Sequence, residues 1–270
     1  TIGILQGIPT LMMLKTAIVL GIASIPEGLV AVVTIALALG VQRMARRQAI
    51  VRRLPAVEAL GSVTTICSDK TGTLTEGKMM AEYIHVDNHL IHVTGNVSSP
   101  QGTLIVDGKA LEEYSKDLKL LLTVSVLCNN AALQKKNGNW EIFGDPTEGA
   151  LLMLGAKSGY FQEEVSKEYT FIKEFPFDTK RRCMSKIYRT EPTHFSLMTK
   201  GAPEKILHLS SHELSNDHRH PLSSEKKENI LVEVNKLAAH GYRMLAVAYR
   251  DLEEHHLKLT TGAIEQELIS

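Results

Sequence analysis

The sequence predicts a multi-domain α/β membrane protein: a transmembrane helix, the opening of an open α/β domain, and an α+β domain built on an antiparallel sheet. Three observations predict it. The stretch from Thr16 to Val41 is apolar, with Glu27 as its only charged side chain. The β-branched, alternating run Val63-Thr64-Thr65-Ile66-Cys67 ends just before Asp69, where a polar turn begins. From about residue 78 onward, short strand-like runs alternate with helical apolar periods.

Residues 1–10 read as the loop of a membrane hairpin and residues 11–42 as the membrane helix. About 26 apolar residues at 1.5 Å each give roughly 39 Å of helix, enough to cross a hydrocarbon core of about 30 Å with some tilt. The segment lacks the small-residue cleavage pattern of a signal peptide, and its basic cluster follows rather than precedes it. Arg43, Arg46, Arg47, Arg52 and Arg53 lie just after the span, so the downstream chain is expected in the cytoplasm. Within the span stands Ile22-Ala23-Ser24-Ile25-Pro26-Glu27-Gly28. Pro26 has no N–H, which leaves the Ile22 carbonyl without its helical partner. A carboxylate at that depth costs roughly 2.5–3.5 kcal/mol, so Glu27 is expected to face protein, a partner or an ion. Oxygen-only ligation suits a hard cation such as Ca²⁺; a proline kink with a stray acid reads the same residues without a ligand.

Residues 43–61 follow as a stalk, taken as a continuous connecting element, and residues 62–76 as the start of a second domain. If Val63 to Cys67 is a strand, Asp69 projects from its carboxyl end, where open α/β sheets bind ligands. A carboxylate there can attack a phosphoryl group and divide one difficult transfer into two easier steps. Lys70 supplies positive charge, Thr71 and Thr73 supply donors, and Gly72 lets the backbone approach a phosphate closely.

Residues 77–270 read as the α+β domain. Tyr83 to Val86 and Leu90 to Val93 are strand-like and broken by Asp87-Asn88 and Gly95-Asn96. Leu111 to Leu127 carries a helical period, and Gly144-Asp145-Pro146 opens a helix running to about Lys157. Three places hold residue types able to grip a nucleotide. Phe175-Pro176-Phe177-Asp178-Thr179-Lys180-Arg181-Arg182 sets an aromatic ring before a cluster of cations. Thr199-Lys200-Gly201-Ala202-Pro203-Glu204 sets a lysine against a glycine. Gly241-Tyr242-Arg243 ends a helix before a strand from Met244 to Tyr249. A purely structural reading is open for each: Phe177 as core, the cations as a solvated face, Gly201 as a turn.

With these residues in view, Asp69-Lys70-Thr71-Gly72-Thr73-Leu74-Thr75 resembles the phosphorylation signature of the P-type cation-transporting ATPases, and the order of the other motifs is similar to theirs over essentially the whole chain. The resemblance implies that residues 62–76 begin a haloacid-dehalogenase-like Rossmannoid phosphorylation domain and that residues 77–270 are a nucleotide-binding domain. It implies that Asp69 is the phosphorylated aspartate, that Lys70 and Thr71 assist it, and that Asp69 and the Thr71 carbonyl hold Mg²⁺. It implies adenine stacking by Phe177, an adenine-side contact by Glu148, nucleotide contact by Lys200 and Gly201, and phosphate contact by Arg243. Arg182 stands where the family usually has lysine, which keeps the charge and changes its shape. Glu27 and the carbonyls of Ile22, Ala23 and Ile25 would coordinate the transported cation. The wording Leu54-Pro55-Ala56-Val57-Glu58 looks more like endoplasmic-reticulum and bacterial calcium pumps, so Ca²⁺ is favoured over Na⁺, K⁺ or H⁺.

The implied partners are ATP, an inorganic cation and the lipid bilayer, in a multi-pass membrane protein with its catalytic region cytoplasmic. Nucleic acid is not expected as a main partner, because the formal net charge is zero and no extended basic face follows the juxtamembrane arginines. The chain lacks a Thr-Gly-Glu dephosphorylation loop and a Gly-Asp-Gly-x-Asn-Asp motif, begins without Met and ends in mid-pattern. It therefore reads as a fragment, without the actuator domain, the rest of the phosphorylation domain and the later membrane helices, and inactive by itself. Two other classes fit parts of it. A soluble phosphatase of the haloacid-dehalogenase type would usually carry a second aspartate where Thr71 stands, and a membrane-tethered nucleotide-binding protein would need no acceptor. Cys67, Cys128 and Cys183 are isolated and receive no function. The histidines at 208, 212, 218, 220, 255 and 256 read as exposed loop residues, with 210–227 as a solvated loop.

Overall fold

A computed structural model describes residues 7–24, 28–136, 138–215 and 217–270. It contains two compact units, Thr1–Asp69 and Lys70–Ser270.

The first unit is helical. Helices α1 (Thr10–Ala23) and α2 (Gly28–Arg46) contain no buried residue. By length and composition the stretch Thr10–Arg46, with mean hydropathy 2.1, is long and apolar enough to cross a membrane. Two of its threonines satisfy their hydroxyls inside the helix, Thr16 donating to the Met12 carbonyl at 2.9 Å and Thr34 to that of Val30 at 2.7 Å. Arg43 and Arg46 sit in the last turn of α2, where cations complement the helix dipole.

The stalk is not the continuous element expected of residues 43–60. Gln48 takes φ +63, its N–H meets the Ala45 carbonyl and the Ala49 N–H meets that of Met44, both at 3.0 Å. This pair of bonds around a left-handed residue closes a helix. A short helix α3 (Pro55–Leu60) restarts with proline at its first position. The predicted strand at 63–67 is also absent: the chain from Val63 to Asp69 is unpaired, and Ile66 is 85% exposed. A strand exists through its ladder, and no described segment pairs with this one.

The second unit opens with a tight turn. Thr71 (φ −82, ψ 122) and Gly72 (φ 76, ψ −1) have the angles of a type II turn, and the Thr75 N–H returns to the Lys70 carbonyl at 3.1 Å. Gly72 supplies the positive φ that such a turn requires.

An antiparallel meander follows: β1 (Tyr83–Val86), β2 (His89–Val93), β3 (Leu104–Val106) and β4 (Lys109–Ala110). Asp87 and Asn88, at φ +52 and +58, make the two-residue turn that the sequence marked between β1 and β2. Ile84, Ile91, Val93 and Leu104 pack against Leu118 and Leu122 of α4 (Lys116–Leu127). This helix starts later than its apolar period suggested, because the Ser115 hydroxyl caps the Leu118 N–H at 3.2 Å. A hairpin, β5 (Ala132–Lys136) and β6 (Asn139–Phe143), leads to α5 (Pro146–Lys157), which has the boundaries read from Gly144-Asp145-Pro146. The Asp145 carboxylate accepts from the N–H groups of Thr147 (2.8 Å) and Glu148 (3.2 Å), and Pro146 occupies the first position.

After α6 (Gln162–Val165) comes the main sheet: β7 (Thr170–Asp178), β8 (Cys183–Arg189), β9 (Phe195–Gly201), then α7 (Pro203–Leu209), β10 (Ser210–Ser215), β11 (His218–Pro221), α8 (Ser224–Ala239), β12 (Ala246–Leu252), α9 (Thr261–Ile264) and β13 (Leu268–Ile269). Its seven strands run β11-β10-β13-β12-β9-β8-β7, and only β10 and β13 pair in parallel. Both faces are covered. Cys183, Ile187 and Leu197 face Ile206, Leu209, Ile264 and Leu268 on one side, while Met184, Tyr188 and Met198 face Val124, Leu127 and Cys128 on the other.

Residues 210–227 are not the expected loop. Ser210 to Pro221 is a hairpin with Glu213 opposite His220 and Leu214 opposite Arg219, and α8 begins at Ser224. Its polar composition hid it, because an edge hairpin buries little apolar surface and is held by backbone pairing. The strand expected from Met244 begins at Ala246 instead.

Candidate functional site

Six of the expected nucleotide residues gather at one end of the main sheet. Phe177 lies near the end of β7, in the register shift between Phe175 and Asp178; Asp178 pairs with Cys183, and Arg182 immediately precedes β8. Gly201 pairs with both Cys183 and Ala246, so β8, β9 and β12 meet at this end; Arg243 lies three residues ahead of that register. Glu148, from the first turn of α5, joins through its ion pair with Lys200, whose Nζ is 2.8 Å from Oε1.

The environments of these residues differ. Phe177 is 61% exposed, so its ring is not core. Lys200 is 5% exposed and its partner Glu148 is only partly accessible. Arg182 adopts φ +54, a left-handed conformation unusual for a side-chain-bearing residue, and pairs with Glu204 at 2.7 Å. Arg243 is exposed. Burial pushes the Asp145 carboxyl up, but N–H donors from Glu148 and Thr147 and the charge of Arg243 outweigh it and hold it below its ordinary range. Gly201 is explained by packing alone: a Cβ there would stand 2.5 Å from the Arg182 carbonyl oxygen and 2.6 Å from Cys183 Cβ.

A partly buried polar network that the sequence did not disclose joins Glu148 to β7 and β8. The Asn130 N–H donates to Glu148 Oε2 at 3.0 Å and its Nδ2 to Glu174 Oε1 at 2.7 Å. Lys186 Nζ donates to the Asn129 carbonyl at 2.6 Å and stands 3.9 Å from Glu174 Oε2. Asn129 Nδ2 donates to the Glu148 carbonyl at 2.9 Å. Two lysines and two glutamates are thus tied together by the pair of asparagines that follows α4. Burial lowers the Lys186 pKa, opposed by Glu174. Burial likewise pushes the Cys128 thiol up to about 12 and that of Cys183 to about 11, which makes both inert. The only advance signal was Asn129-Asn130 at the end of a helical period, a pair that sequence reasoning reads as a turn.

The other expected residues are placed separately. Asp69 is exposed at the end of the unpaired stretch, and Lys70 and Thr71 open the type II turn. Ile22 and Ala23 form the exposed end of α1, while Ile25 and Glu27 lie outside the described residues. Among the described residues no group of three or more His, Cys, Asp or Glu side chains is arranged to hold a metal ion. A single carboxylate with a backbone carbonyl is nevertheless a donor set that suits Mg²⁺, which ordinarily completes its shell with water and substrate phosphate.

Residues 117–270 match the family model described as P-type ATPase, cytoplasmic domain N. The chain is 39% identical over 253 residues to a calcium-transporting ATPase of Bacillus subtilis, covering 93% of this chain and 28% of the relative. It is 37% identical over 270 residues to the cation-transporting ATPase pma1 of Synechocystis, covering 98% and 29%, and 35% identical over 269 residues to calcium-transporting ATPase 1 of Saccharomyces cerevisiae, covering 98% and 28%. The chain spans less than a third of the length of these relatives.

Proposed function

The chain belongs to the P-type ATPases, and we propose that the intact protein uses ATP hydrolysis to move a cation, Ca²⁺ by preference, across a membrane through an aspartyl phosphate at Asp69. The observation that carries this reading is the seven-residue run from Asp69 to Thr75, in which one exposed carboxylate immediately precedes a glycine-containing type II turn. An exposed carboxylate is free to act as a nucleophile.

In the forward step an Asp69 carboxylate oxygen forms a bond to the γ-phosphorus as the bond between that phosphorus and the β–γ bridging oxygen breaks, and ADP departs with the bonding pair. Water later attacks the acyl phosphate, the bond from phosphorus to Asp69 oxygen breaks, and inorganic phosphate and the free carboxylate return. Lys70 offsets charge on the phosphoryl oxygens. Asp69 and the Thr71 carbonyl would hold Mg²⁺, which supplies charge neutralisation at the phosphates when bound. In the second unit, Phe177 offers an exposed face for adenine, the Lys200–Glu148 pair offers a fixed donor and acceptor, and Arg182 and Arg243 offer cations toward phosphate.

The cation assignment rests on the names of the relatives and on an oxygen-only donor set of Glu27 with the carbonyls of Ile22, Ala23 and Ile25. The membrane would be crossed by the apolar stretch Thr10–Arg46, with the nucleotide-binding unit on the cytoplasmic side. The test is Asp69→Asn in the full-length protein. The expected result is loss of cation-dependent, hydroxylamine-sensitive labelling from γ-labelled ATP with ATP binding retained; labelling that survives would exclude Asp69 as the acceptor.

A further inference from the structure

Between Phe177 and Arg182 the chain makes a turn whose fastening comes from the far end of the sequence. Asp178 Oδ1 accepts from the N–H groups of Lys180 and Arg181, both at 2.9 Å, and the Arg182 carbonyl accepts from Ala202 N at 3.0 Å. Arg181 does not face outward with its neighbours. Its Nη1 pairs with Glu265 Oε1 and its Nη2 donates to the Pro176 carbonyl, one residue before Phe177. Glu265 is 2% exposed and also accepts from Ser185 Oγ at 2.6 Å, and Ser185 Oγ lies 3.0 Å from Thr199 Oγ1. The carboxylate therefore grips β8 directly and, through Arg181, the chain on both sides of Phe177.

Glu265 is itself held. Arg250 Nη1 donates to the carbonyls of Ile264 (3.3 Å) and Gln266 (2.7 Å), and its Nη2 pairs with Glu267 at 2.8 Å. Both terminal nitrogens of Arg181 are thus engaged within the protein, one by Glu265 and one by the Pro176 carbonyl. Yet its contact with the Pro176 carbonyl spans Phe177 along the chain, and the next residue is the cation Arg182.

We propose that Arg181 and Glu265 form a positioning pair that sets the 177–182 turn, and through it the orientation of Phe177 and Arg182 toward a bound nucleotide. This rests on the nucleotide-binding reading of the second unit. The pair acts through the turn and touches no ligand, so its removal changes affinity even where stability is recovered.

The test uses the 270-residue chain in detergent, titrated with ATP by calorimetry beside thermal unfolding. Arg181→Met strands a buried carboxylate and is expected to lower the unfolding midpoint and weaken ATP. The double variant Arg181→Met/Glu265→Met strands no charge; it is expected to recover most of the midpoint while binding ATP about tenfold more weakly than wild type. Arg181→Lys keeps the charge without the two-armed geometry and is expected to fall between them in affinity. A double variant that binds ATP within about twofold of wild type overturns the positioning role. If that variant does not fold, Arg181→Lys decides, and wild-type affinity there overturns the proposal. A wild-type chain that does not bind ATP overturns the nucleotide reading and this inference with it.

Discussion

The segment around Asp69 and the end of the main sheet contrast in how they present the residues of the proposed function. From Val63 to Leu74 every residue is exposed, no strand forms, and the one fixed feature is a local turn at Thr71-Gly72. At the sheet, Lys200, Glu148, Lys186 and Glu174 lie in a covered network joined by Asn129 and Asn130. The first region carries its proposed chemistry in consecutive residues and needs little support to display it. The second draws residues from between Asn129 and Lys200 and exists only because β7, β8, β9 and α5 meet. Changes in the first should alter chemistry with little effect on stability, and changes in the second should alter both.

The largest effect expected is at the buried pair. Lys200→Met leaves Glu148 without its cation, and breaking such a pair costs about 3–5 kcal/mol. Asp69→Asn, at an exposed site, should stay within about 0.5 kcal/mol of wild type. Denaturant unfolding of both variants measures the gap, and equal costs would dissolve the contrast.

Glycines give a second comparison of intermediate size. Gly201→Ala drives a methyl into the Arg182 carbonyl and Cys183, an overpacking worth about 1–3 kcal/mol. Gly72→Ala meets nothing within 4 Å but keeps φ +76, so only the left-handed penalty of about 1–2 kcal/mol applies. Stability measurements should rank Gly201→Ala first or equal. In the full-length protein, phosphorylation should be the more affected by Gly72→Ala.

The remaining effect is a pH dependence within the second unit, away from the sheet end. Asp117 is buried in the first turn of α4; burial, then a hydrogen bond with the Asp87 side chain, raise its pKa from 3.8 to about 6, against an N–H bond from Asp217. An acid whose folded pKa is raised is protonated in the native state while the unfolded chain has already ionised. Its contribution therefore opposes folding increasingly from about pH 4 to about pH 6 and stays constant above. Asp117→Asn, which keeps an acceptor for Asp217 N–H and gains a donor toward Asp87, should unfold at a higher temperature than wild type above pH 6 and lose that advantage near pH 4. Parallel melting curves across this range would refute the assignment.

Local grammar was readable in advance where a few adjacent residues decide the outcome. Asp145-Pro146 fixed the start of α5 because a carboxylate cap and a residue without N–H both suit a helix N-terminus. Asp87-Asn88 fixed the turn between β1 and β2 because both residues tolerate positive φ. Gly72 marked the type II turn because it takes positive φ freely, and the stretch Thr10–Arg46 is long and apolar enough to cross a membrane.

Tertiary structure alone decided the rest. Val63 to Cys67 has strand propensity but no described partner, so propensity went unused. Ser210 to Pro221 has little apolar surface yet pairs at the edge of the sheet beside β13. Lys186 and Glu174 became one unit because β7 and β8 set them side by side, and Glu265 came to govern a turn more than eighty positions earlier because α9 packs on the covered face. Ionic partners of this kind are chosen by which side chains share a desolvated space, and that is a property of the packed sheet rather than of neighbours along the chain.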